Sequence, residues 1–170
     1  MEESARIARG AIKPISQLEV RNFSALFIPG GFGIAKNFSN FAEKGQEMQV
    51  DPEVSEVILS FYNTVKPIGA ACIAPIILAK VLGTTSSKKG IDLTLGKKGS
   101  EWPYANTIDV ANKFGNKVVN CDIDDICKDG LSKIITTPAY MKETANAYEV
   151  FQGIGKMVDE VIKLAKIRTL

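Results

Sequence analysis

The stretch Pro67-Ile-Gly-Ala-Ala-Cys72-Ile-Ala-Pro75 decides the fold of this chain. Its apolar run, residues 68–72, predicts a buried strand, and the helical pattern that follows at once predicts a helix at residues 74–82. An apolar strand that ends at a cysteine and turns directly into a helix is typical of a nucleophile elbow. The chain contains no histidine, so the imidazole that usually activates a nucleophilic cysteine is not supplied by this sequence.

The pattern of strand and helix continues on both sides of this stretch. Two further buried strands are predicted at residues 25–28 and 133–137. The weaker strand candidates are residues 91–95 and 116–120, and the other predicted helices are residues 51–64, 104–114 and 142–166. Strands that are apolar on both faces and alternate with helices indicate a mostly parallel sheet covered on both sides. The sequence therefore predicts one doubly wound α/β domain over residues 1–170.

Two of the predicted helices carry informative local signals. Asp51, Pro52 and Glu53 form a start signal, with an N-cap residue, a proline in the first turn and then an acid. The helix at residues 142–166 has an apolar stripe, but Gly153 and Gly155 interrupt it. Each glycine costs about 1 kcal/mol relative to alanine, so close packing or a bend is expected there.

Composition excludes several classes of protein. The formal net charge of +2 over 170 residues is too small to indicate nucleic-acid binding. No apolar run approaches the roughly 20 residues that a membrane span needs, and the N-terminal residues lack an apolar signal core. Two acids near the start also argue against an intact mitochondrial presequence. Three scattered cysteines make no disulfide framework, which favours a reducing compartment.

Cys72 is the first candidate for chemistry. A cysteine at the carboxyl end of a central strand lies where open α/β sheets bind ligands. The start of the following helix would favour the thiolate and lower the thiol pKa without a histidine. The backbone N–H of Ile73 would offer a donor to a developing oxyanion. The alternative is that Cys72 is a small buried apolar residue, which is what a free cysteine most often is.

The glycine-rich turn Pro29-Gly-Gly-Phe-Gly33 is the second candidate. Glycines just past a strand end let the backbone approach a ligand and point N–H groups at it, so this turn is a predicted substrate-binding segment. Lys36 and Asn37 follow at the same mouth and are predicted to bind substrate. The turn is neither a P-loop nor a dinucleotide fingerprint. A plain strand-to-helix turn with two solvated side chains remains the alternative.

Polar residues after the last predicted strand form a third candidate. The hydroxyls of Thr136 and Thr137 could bind substrate, but strand propensity followed by a turn is the favoured explanation. The segment Cys121-Asp-Ile-Asp-Asp-Ile-Cys127 matches no common zinc spacing, so we expect a solvated acidic loop and no metal site. Trp102 and Tyr104 could line a pocket or simply pack.

Three separated motifs together resemble the ElbB branch of the ThiJ/PfpI superfamily, whose fold is that of class I glutamine amidotransferase domains. They are Pro29-Gly-Gly-Phe-Gly-Ile-Ala-Lys-Asn37, Gly69-Ala-Ala-Cys-Ile-Ala-Pro75 and Thr136-Thr-Pro-Ala-Tyr-Met141. Glu3-Ser-Ala-Arg-Ile-Ala-Arg-Gly10 also fits, and Glu101-Trp-Pro-Tyr104 resembles the animal, mitochondrial members more than the bacterial ones. The resemblance covers essentially the whole chain.

The resemblance implies a flavodoxin-like three-layer sandwich with a reactive cysteine at Cys72. It implies an oxyanion hole built from the backbone of Gly31 and Ile73, and no cofactor. True amidotransferases pair the cysteine with a histidine and a glutamate in a His-Pro-Glu sequence, whereas this chain has Thr137-Pro138-Ala139 in that stretch. Glutaminase chemistry is therefore not expected. The animal members imply a mitochondrial location, with a cytoplasmic one as the alternative.

The resemblance also implies that the start of the family's domain is missing. The family has a first strand, a first helix and a further strand that have no counterpart here, and its acidic residue beside the cysteine comes from that part. We therefore expect a domain whose N-terminal part is absent and whose strand at residues 25–28 forms an exposed edge of the sheet.

Two functions follow as hypotheses. The first is weak glyoxalase or deglycase activity, in which Cys72 attacks a reactive dicarbonyl such as methylglyoxal. The second is a non-catalytic domain that senses oxidants or binds a metabolite through the same pocket. A small carbonyl compound or metabolite is the expected partner, without nucleic acid or membrane. A homodimer formed through the sheet edge or the last helix would suit either function.

Overall fold

Six strands form two sheets in the structure, a computed structural model that describes residues 2–83 and 89–166. In chain order the strands are β1 (Leu26–Ile28), β2 (Ile68–Ala71), β3 (Asp92–Leu93), β4 (Lys117–Val118), β5 (Cys127–Asp129) and β6 (Ile134–Thr137). The central sheet has the order β1-β2-β6-β5, and β3 pairs with β4 separately. Strands β1, β2 and β6 are parallel, and β5 runs antiparallel to β6. The predicted mostly parallel α/β sheet is confirmed.

The two central strands are buried along their whole length. All four residues of β2 and all four of β6 are buried, and Ile68 pairs with Ile134 while Ala71 pairs with Thr137. Strands that are apolar on both faces can be stable only if helices cover both faces. The register brings the carboxyl ends of β2 and β6 to the same level, which places Cys72 beside the end of β6.

Seven α-helices surround the sheets in the described residues. They are α1 (Glu2–Ile7), α2 (Phe32–Lys36), α3 (Phe41–Lys44), α4 (Pro52–Asn63), α5 (Pro75–Val81), α6 (Asn106–Lys113) and α7 (Ala147–Lys166). Short 3-10 turns occur at Ile15–Gln17, Val20–Asn22, Gly45–Glu47 and Ala139–Met141. None of the described helices is long and apolar enough to cross a membrane.

The predicted start of α4 is confirmed in detail. The carboxylate of Asp51 accepts hydrogen bonds from the backbone N–H of Glu53 at 2.9 Å and of Val54 at 3.2 Å. Pro52 occupies the first helical turn, where its missing N–H is not needed. Such a cap contributes about 1 kcal/mol to stability.

Two apolar clusters, one on each face of the sheet, make the fold three layers thick. The larger cluster includes Ile58 and Phe61 of α4 and Ile76 of α5, packed with Ile68 of the sheet. The smaller cluster holds the buried stripe of α7, formed by Val150, Met157 and Val161, against Ala71 and Ile135 of the sheet. The expected three-layer sandwich is therefore present in the described residues.

The two glycines of α7 have different environments. A Cβ added at Gly153 would overlap the carbonyl oxygen of Ile123 and lie 2.9 Å from the hydroxyl of Thr137. A Cβ at Gly155 would meet nothing within 4 Å. The close packing predicted from these glycines is thus present at Gly153 alone, where the backbone of α7 touches the segment before β5.

Some boundaries and one segment differ from the prediction. Helix α7 begins at Ala147 rather than at residue 142, because the residues before it form a 3-10 turn and a loop. The segment at residues 121–127 is only in part the expected solvated acidic loop, because its acids are solvated but its apolar residues are not. Cys121 and Ile123 are buried, and Cys127 opens β5, so the apolar residues of this segment face the core while only its acids face water.

Strand β1 lies at one end of the central sheet, as expected from the sequence. It pairs with β2 through Leu26, Phe27 and Ile28, and its other edge pairs with no strand in the described part of the chain. Phe27 is 41% exposed. The edge is therefore short and apolar, a combination that favours pairing with another chain.

Candidate active site

Cys72 lies one residue beyond the end of β2, at a sharp change of backbone direction. Its φ angle is 58°, in the left-handed region that non-glycine residues rarely adopt. Its backbone N–H donates to the carbonyl of Thr137 at 3.0 Å, which extends the pairing of β2 and β6 by one step. The side chain is partly buried, whereas Cys121 and Cys127 are buried. Cys72 is thus the most accessible thiol of the described residues.

Three backbone N–H groups converge on the Cys72 sulfur. They belong to Ile73, Gly31 and Tyr140, and each acts to lower the pKa of the thiol by stabilising the thiolate. Burial acts in the opposite direction and is the largest effect, so the pKa of Cys72 is raised from its ordinary value of 9.0. The lowered pKa expected from the start of α5 was therefore wrong. The helix begins at Pro75, which has no N–H to offer.

The glycine pair before α2 is required by its closeness to Cys72. Gly30 and Gly31 have φ angles of 97° and 90°. A Cβ at Gly30 would lie 2.7 Å from the carbonyl oxygen of Ala71 and 2.9 Å from the Cβ of Cys72. Only glycine fits this approach, and the approach is what points the N–H of Gly31 at the sulfur.

A pocket of about 350 Å³ opens above the sulfur. Cys72, Ile73, Gly31 and Phe32 all line it, so four of the residues singled out in the sequence share one cavity. The aromatic side chains of Tyr104 and Tyr140 complete its wall, together with Ala35, Phe41, Ala42, Asn106, Thr107 and Met141. The structure thus brings together two segments that were considered separately in the sequence, the glycine turn and the cysteine turn.

The described lining of this pocket contains no carboxylate, ammonium, guanidinium or imidazole group. Its titratable side chains are Cys72, Tyr104 and Tyr140. The lining therefore holds the sulfur and donates hydrogen bonds from the backbone, but it offers no carboxylate or imidazole as a proton acceptor for a second step.

Other residues predicted to bind substrate lie elsewhere. Gly30, Gly33 and Asn37 line a separate apolar groove of about 370 Å³ along β1. Lys36 lines neither cavity, and its ammonium stands 5.0 Å from the centre of the Phe32 ring. Residues of the glycine turn are thus divided between two cavities, so proximity in the sequence did not predict which of them share a cavity.

The two threonines at the end of β6 are structural. Thr136 and Thr137 are both 0% exposed. The hydroxyl of Thr136 accepts a hydrogen bond from the N–H of Thr94 at 2.8 Å, and the hydroxyl of Thr137 donates to the carbonyl of Asp125 at 2.9 Å. Their predicted role in binding substrate does not fit these positions, because both hydroxyls bond to the backbone of adjoining segments and neither residue lines the pocket.

The other two thiols are buried and do not line the Cys72 pocket. Burial raises the pKa of Cys121, and it raises the pKa of Cys127 to about 12. No group of three or more Cys, Asp or Glu side chains in the described residues could hold a metal ion.

Tyr140 is the functional residue that the sequence did not reveal as a donor. It follows Ala139, whose φ angle of 47° turns the chain after β6 toward Cys72. The only sequence signal was Pro138 directly after the strand, which predicts a turn but not the direction of the next N–H.

Comparisons with known proteins identify relatives of this chain. The chain is 42% identical over 167 residues to the human (Homo sapiens) glutamine amidotransferase-like class 1 domain-containing protein 3, mitochondrial, and 41% identical over 167 residues to the ES1 protein homolog, mitochondrial, of Rattus norvegicus. Each match covers 96% of this chain and 60% of the relative, so the chain spans about 60% of the length of these relatives. No profile of a known protein family matches.

A solved structure is similar in both sequence and fold. It is the isoprenoid biosynthesis protein with amidotransferase-like domain from Ehrlichia chaffeensis, which is 34% identical, with a TM-score of 0.80. The match covers 96% of this chain and 69% of that one. With the sheet order and the human and rat similarities, this match shows that the chain belongs to the family of glutamine amidotransferase-like class 1 domain proteins.

Proposed function

We propose that Cys72 is a nucleophile on a strand-to-helix elbow and that it adds to reactive dicarbonyl compounds such as methylglyoxal. The observation that carries this proposal is the convergence of three backbone N–H groups on one partly exposed sulfur at the floor of an open pocket. Donors fixed in this way stabilise negative charge on the sulfur before the reaction and on the neighbouring substrate oxygen during it.

The first step is an addition that conserves all atoms. The sulfur forms a bond to the aldehyde carbon, the carbonyl electron pair moves to oxygen, and the thiol proton ends on that oxygen as a neutral hemithioacetal. The N–H groups of Gly31 and Ile73, which act on the sulfur in the free protein, are the proposed donors to that oxygen. No oxidant or reductant is needed.

The second step limits the activity. A proton moved from the sulfur-bearing carbon to the neighbouring carbonyl carbon turns the hemithioacetal into a thioester on Cys72, and water then breaks the carbon–sulfur bond to give the hydroxy acid and the free thiol. A deglycase reaction follows the same course once the amine of the glycated substrate has left. Both routes need that transferred proton. The described lining holds no carboxylate or imidazole to move it. We therefore propose a weak glyoxalase or deglycase and not a glutaminase, because an amino-acid substrate would also find no charged partner in the lining.

Lactate formation from methylglyoxal tests this function. The purified protein should form lactate slowly above the buffer rate, and Cys72→Ala should abolish the increase. The rate of the addition step itself should rise about tenfold per pH unit below the thiol pKa, because the thiolate is the attacking form and burial raises that pKa. A rate unchanged in Cys72→Ala would exclude Cys72 as the nucleophile.

A second candidate function is sensing of oxidants or binding of a metabolite without turnover. The supporting observation is that a partly exposed thiol with three N–H donors lies in a pocket without a carboxylate or imidazole base. Hydrogen peroxide would oxidise the thiolate to a sulfenic acid and be reduced to water. Mild peroxide followed by peptide mass mapping should modify Cys72 well before the buried Cys121 and Cys127, which act as internal controls. Equal modification of the three would contradict the sensor hypothesis.

Finer placement within the family follows from the motifs. We propose that the chain belongs to the ElbB branch, on the combination of the glycine turn at residues 29–33, the Cys72 turn and the Thr-Pro-Ala segment at residues 137–139. We also propose a mitochondrial location, because the similar human and rat proteins are named mitochondrial. Imaging of the tagged protein in cells checks the location, and cytosolic signal alone would contradict it.

A further inference from the structure

The walls of the Cys72 pocket point to a substrate class that the carbonyl chemistry alone does not define. Three aromatic side chains surround its opening, and all are well exposed: Phe32 at 63%, Tyr104 at 52% and Tyr140 at 55%. They come from α2, from the segment before α6 and from the 3-10 turn after β6. Exposed aromatic rings gathered from three segments around one reactive group form a surface that gains free energy when a ligand covers it.

The size of the pocket exceeds the needs of a small dicarbonyl. Its volume of about 350 Å³ falls within the range of about 300–1,000 Å³ that is usual for small-molecule sites. Methylglyoxal, with one methyl group beside its two carbonyls, would occupy the floor near the sulfur and leave the aromatic wall uncovered. A larger apolar substituent on the same dicarbonyl would reach Tyr104 and Phe32.

The absence of charge from the described lining restricts the substituent further. A charged group would lose its hydration on entering and would find no opposite charge among the lining residues. Lys36 lies near the rim, over the Phe32 ring at 5.0 Å, but it does not line the pocket.

We propose that this site selects an uncharged α-dicarbonyl that carries an aryl group, whose ring stacks among Phe32, Tyr104 and Tyr140 while its aldehyde carbon meets Cys72. The inference rests on the proposed addition of Cys72 to dicarbonyls. It adds the specificity-determining role of the three aromatic residues. The bond formed is again the sulfur–carbon bond of a hemithioacetal, with the thiol proton on the former carbonyl oxygen.

Protection of Cys72 from alkylation tests the inference. Iodoacetamide labelling of Cys72 is followed by peptide mass mapping at increasing concentrations of methylglyoxal, phenylglyoxal or 4-carboxyphenylglyoxal. The same compounds are titrated against N-acetylcysteine to correct for their intrinsic reactivity. After this correction, phenylglyoxal should half-protect Cys72 at a concentration about tenfold lower than methylglyoxal, and the carboxylated compound should lose most of that advantage.

Variants assign the preference to the aromatic wall. Tyr104→Ala and Phe32→Ala should each raise the half-protecting concentration of phenylglyoxal several-fold and leave that of methylglyoxal unchanged. Tyr148→Ala is the matched control, because Tyr148 is 71% exposed on α7 and does not line the pocket. This variant should behave as the wild type.

The outcomes separate the two proposals. If no dicarbonyl protects Cys72, the proposed addition chemistry fails and the inference fails with it. If methylglyoxal protects as well as phenylglyoxal after correction, or if the carboxylated compound equals phenylglyoxal, the addition chemistry stands and the inference is overturned. A preference for phenylglyoxal that survives in both Tyr104→Ala and Phe32→Ala would also overturn it.

Discussion

The backbone N–H of Cys72 donates to the carbonyl of Thr137 at 3.0 Å, beyond the last paired residues of β2 and β6. This hydrogen bond holds Cys72 in its left-handed conformation, with φ at 58°. A conformation of this kind costs about 1–3 kcal/mol and persists only where the surroundings hold it. The carbonyl of Thr137 therefore positions the thiol. The hydroxyl of Thr137 has a separate role, because it donates to the carbonyl of Asp125.

Replacing Gly30 by alanine should both destabilise the fold and disturb the site at Cys72. In Gly30→Ala the new Cβ would lie 2.7 Å from the Ala71 carbonyl oxygen, at a φ angle of 97°. We expect a loss of about 2–4 kcal/mol in the free energy of unfolding, from overpacking and left-handed strain together. Urea denaturation measures the loss, and the alkylation rate of Cys72 should change in the same variant.

Gly10→Ala is the control variant, because it introduces left-handed backbone strain without a steric overlap. Gly10 has a φ angle of 84°, and a Cβ there would meet nothing within 4 Å. The control should lose about 1 kcal/mol and keep the wild-type alkylation rate of Cys72. Equal losses in the two variants would contradict the role given to the close approach of Gly30 and Cys72.

The two glycines of α7 should respond to alanine with opposite signs. Alanine favours a helix over glycine by about 1 kcal/mol. Gly155→Ala should therefore raise the free energy of unfolding by up to about 1 kcal/mol, because its Cβ points into open space. Gly153→Ala should lower it by about 1–2 kcal/mol, because overlap with the Ile123 carbonyl outweighs the helical gain. Thermal and urea unfolding of both variants check this, and stabilisation by Gly153→Ala would show that the contact is not tight.

Alkaline pH should weaken the fold through Cys127. Burial raises the pKa of this thiol from its ordinary value of 9.0 to about 12 in the folded protein. The folded state thus keeps a proton that the unfolded state has released. The contribution of the protonated Cys127 to the free energy of unfolding is fully present below about pH 9 and is lost as pH rises through about 12.

A difference measurement isolates this contribution. The free energy of unfolding of the wild type should fall more steeply between pH 9 and pH 11 than that of Cys127→Ala. Cysteine and alanine are both small and apolar in this setting, so the core is changed little. Parallel pH profiles for the two proteins would show that Cys127 does not titrate with a raised pKa.

We expect the open edge of β1 to pair with a second copy of the chain and so form the homodimer proposed from the sequence. Phe27→Lys places a charge on this edge, a substitution that discourages strand pairing. Sedimentation velocity over a range of concentrations should show a dimer for the wild type and a shift to monomer for Phe27→Lys. Phe151→Lys on α7 tests the other candidate surface, since Phe151 is 69% exposed. A wild type that stays monomeric at all concentrations would exclude both.

The parts of the fold that sequence could predict are those where a single local pattern decides the structure. Strands β2 and β6 come from short, largely apolar runs and are buried along their whole length. Asp51 and Pro52 indicate where α4 begins. Strand β5 was missed because Cys127-Lys-Asp129 is short and polar, and its pairing depends on β6. Thr136 and Thr137 were considered for the site because hydroxyls at a strand end could bind substrate, but both hydroxyls bond to the backbone of adjoining segments.

The candidate site was predictable at its centre and not at its edges. Cys72 and Ile73 were proposed from the strand-to-helix pattern, and Gly31 was proposed from the family resemblance. The Tyr140 N–H reaches the sulfur because Ala139 has a positive φ angle, and an alanine in the sequence does not predict such an angle. Which glycine faces which cavity also depends on backbone angles in the turn, and composition carries no information about these.

The three donors to the Cys72 sulfur follow three different strands, because Gly31 comes after β1, Ile73 after β2 and Tyr140 after β6. The environment of the thiol is therefore completed only when all three strand ends have assembled. Pulse labelling of Cys72 during refolding would time the arrival of the slowest of them. The reactivity of one native side chain would therefore report when the sheet has assembled.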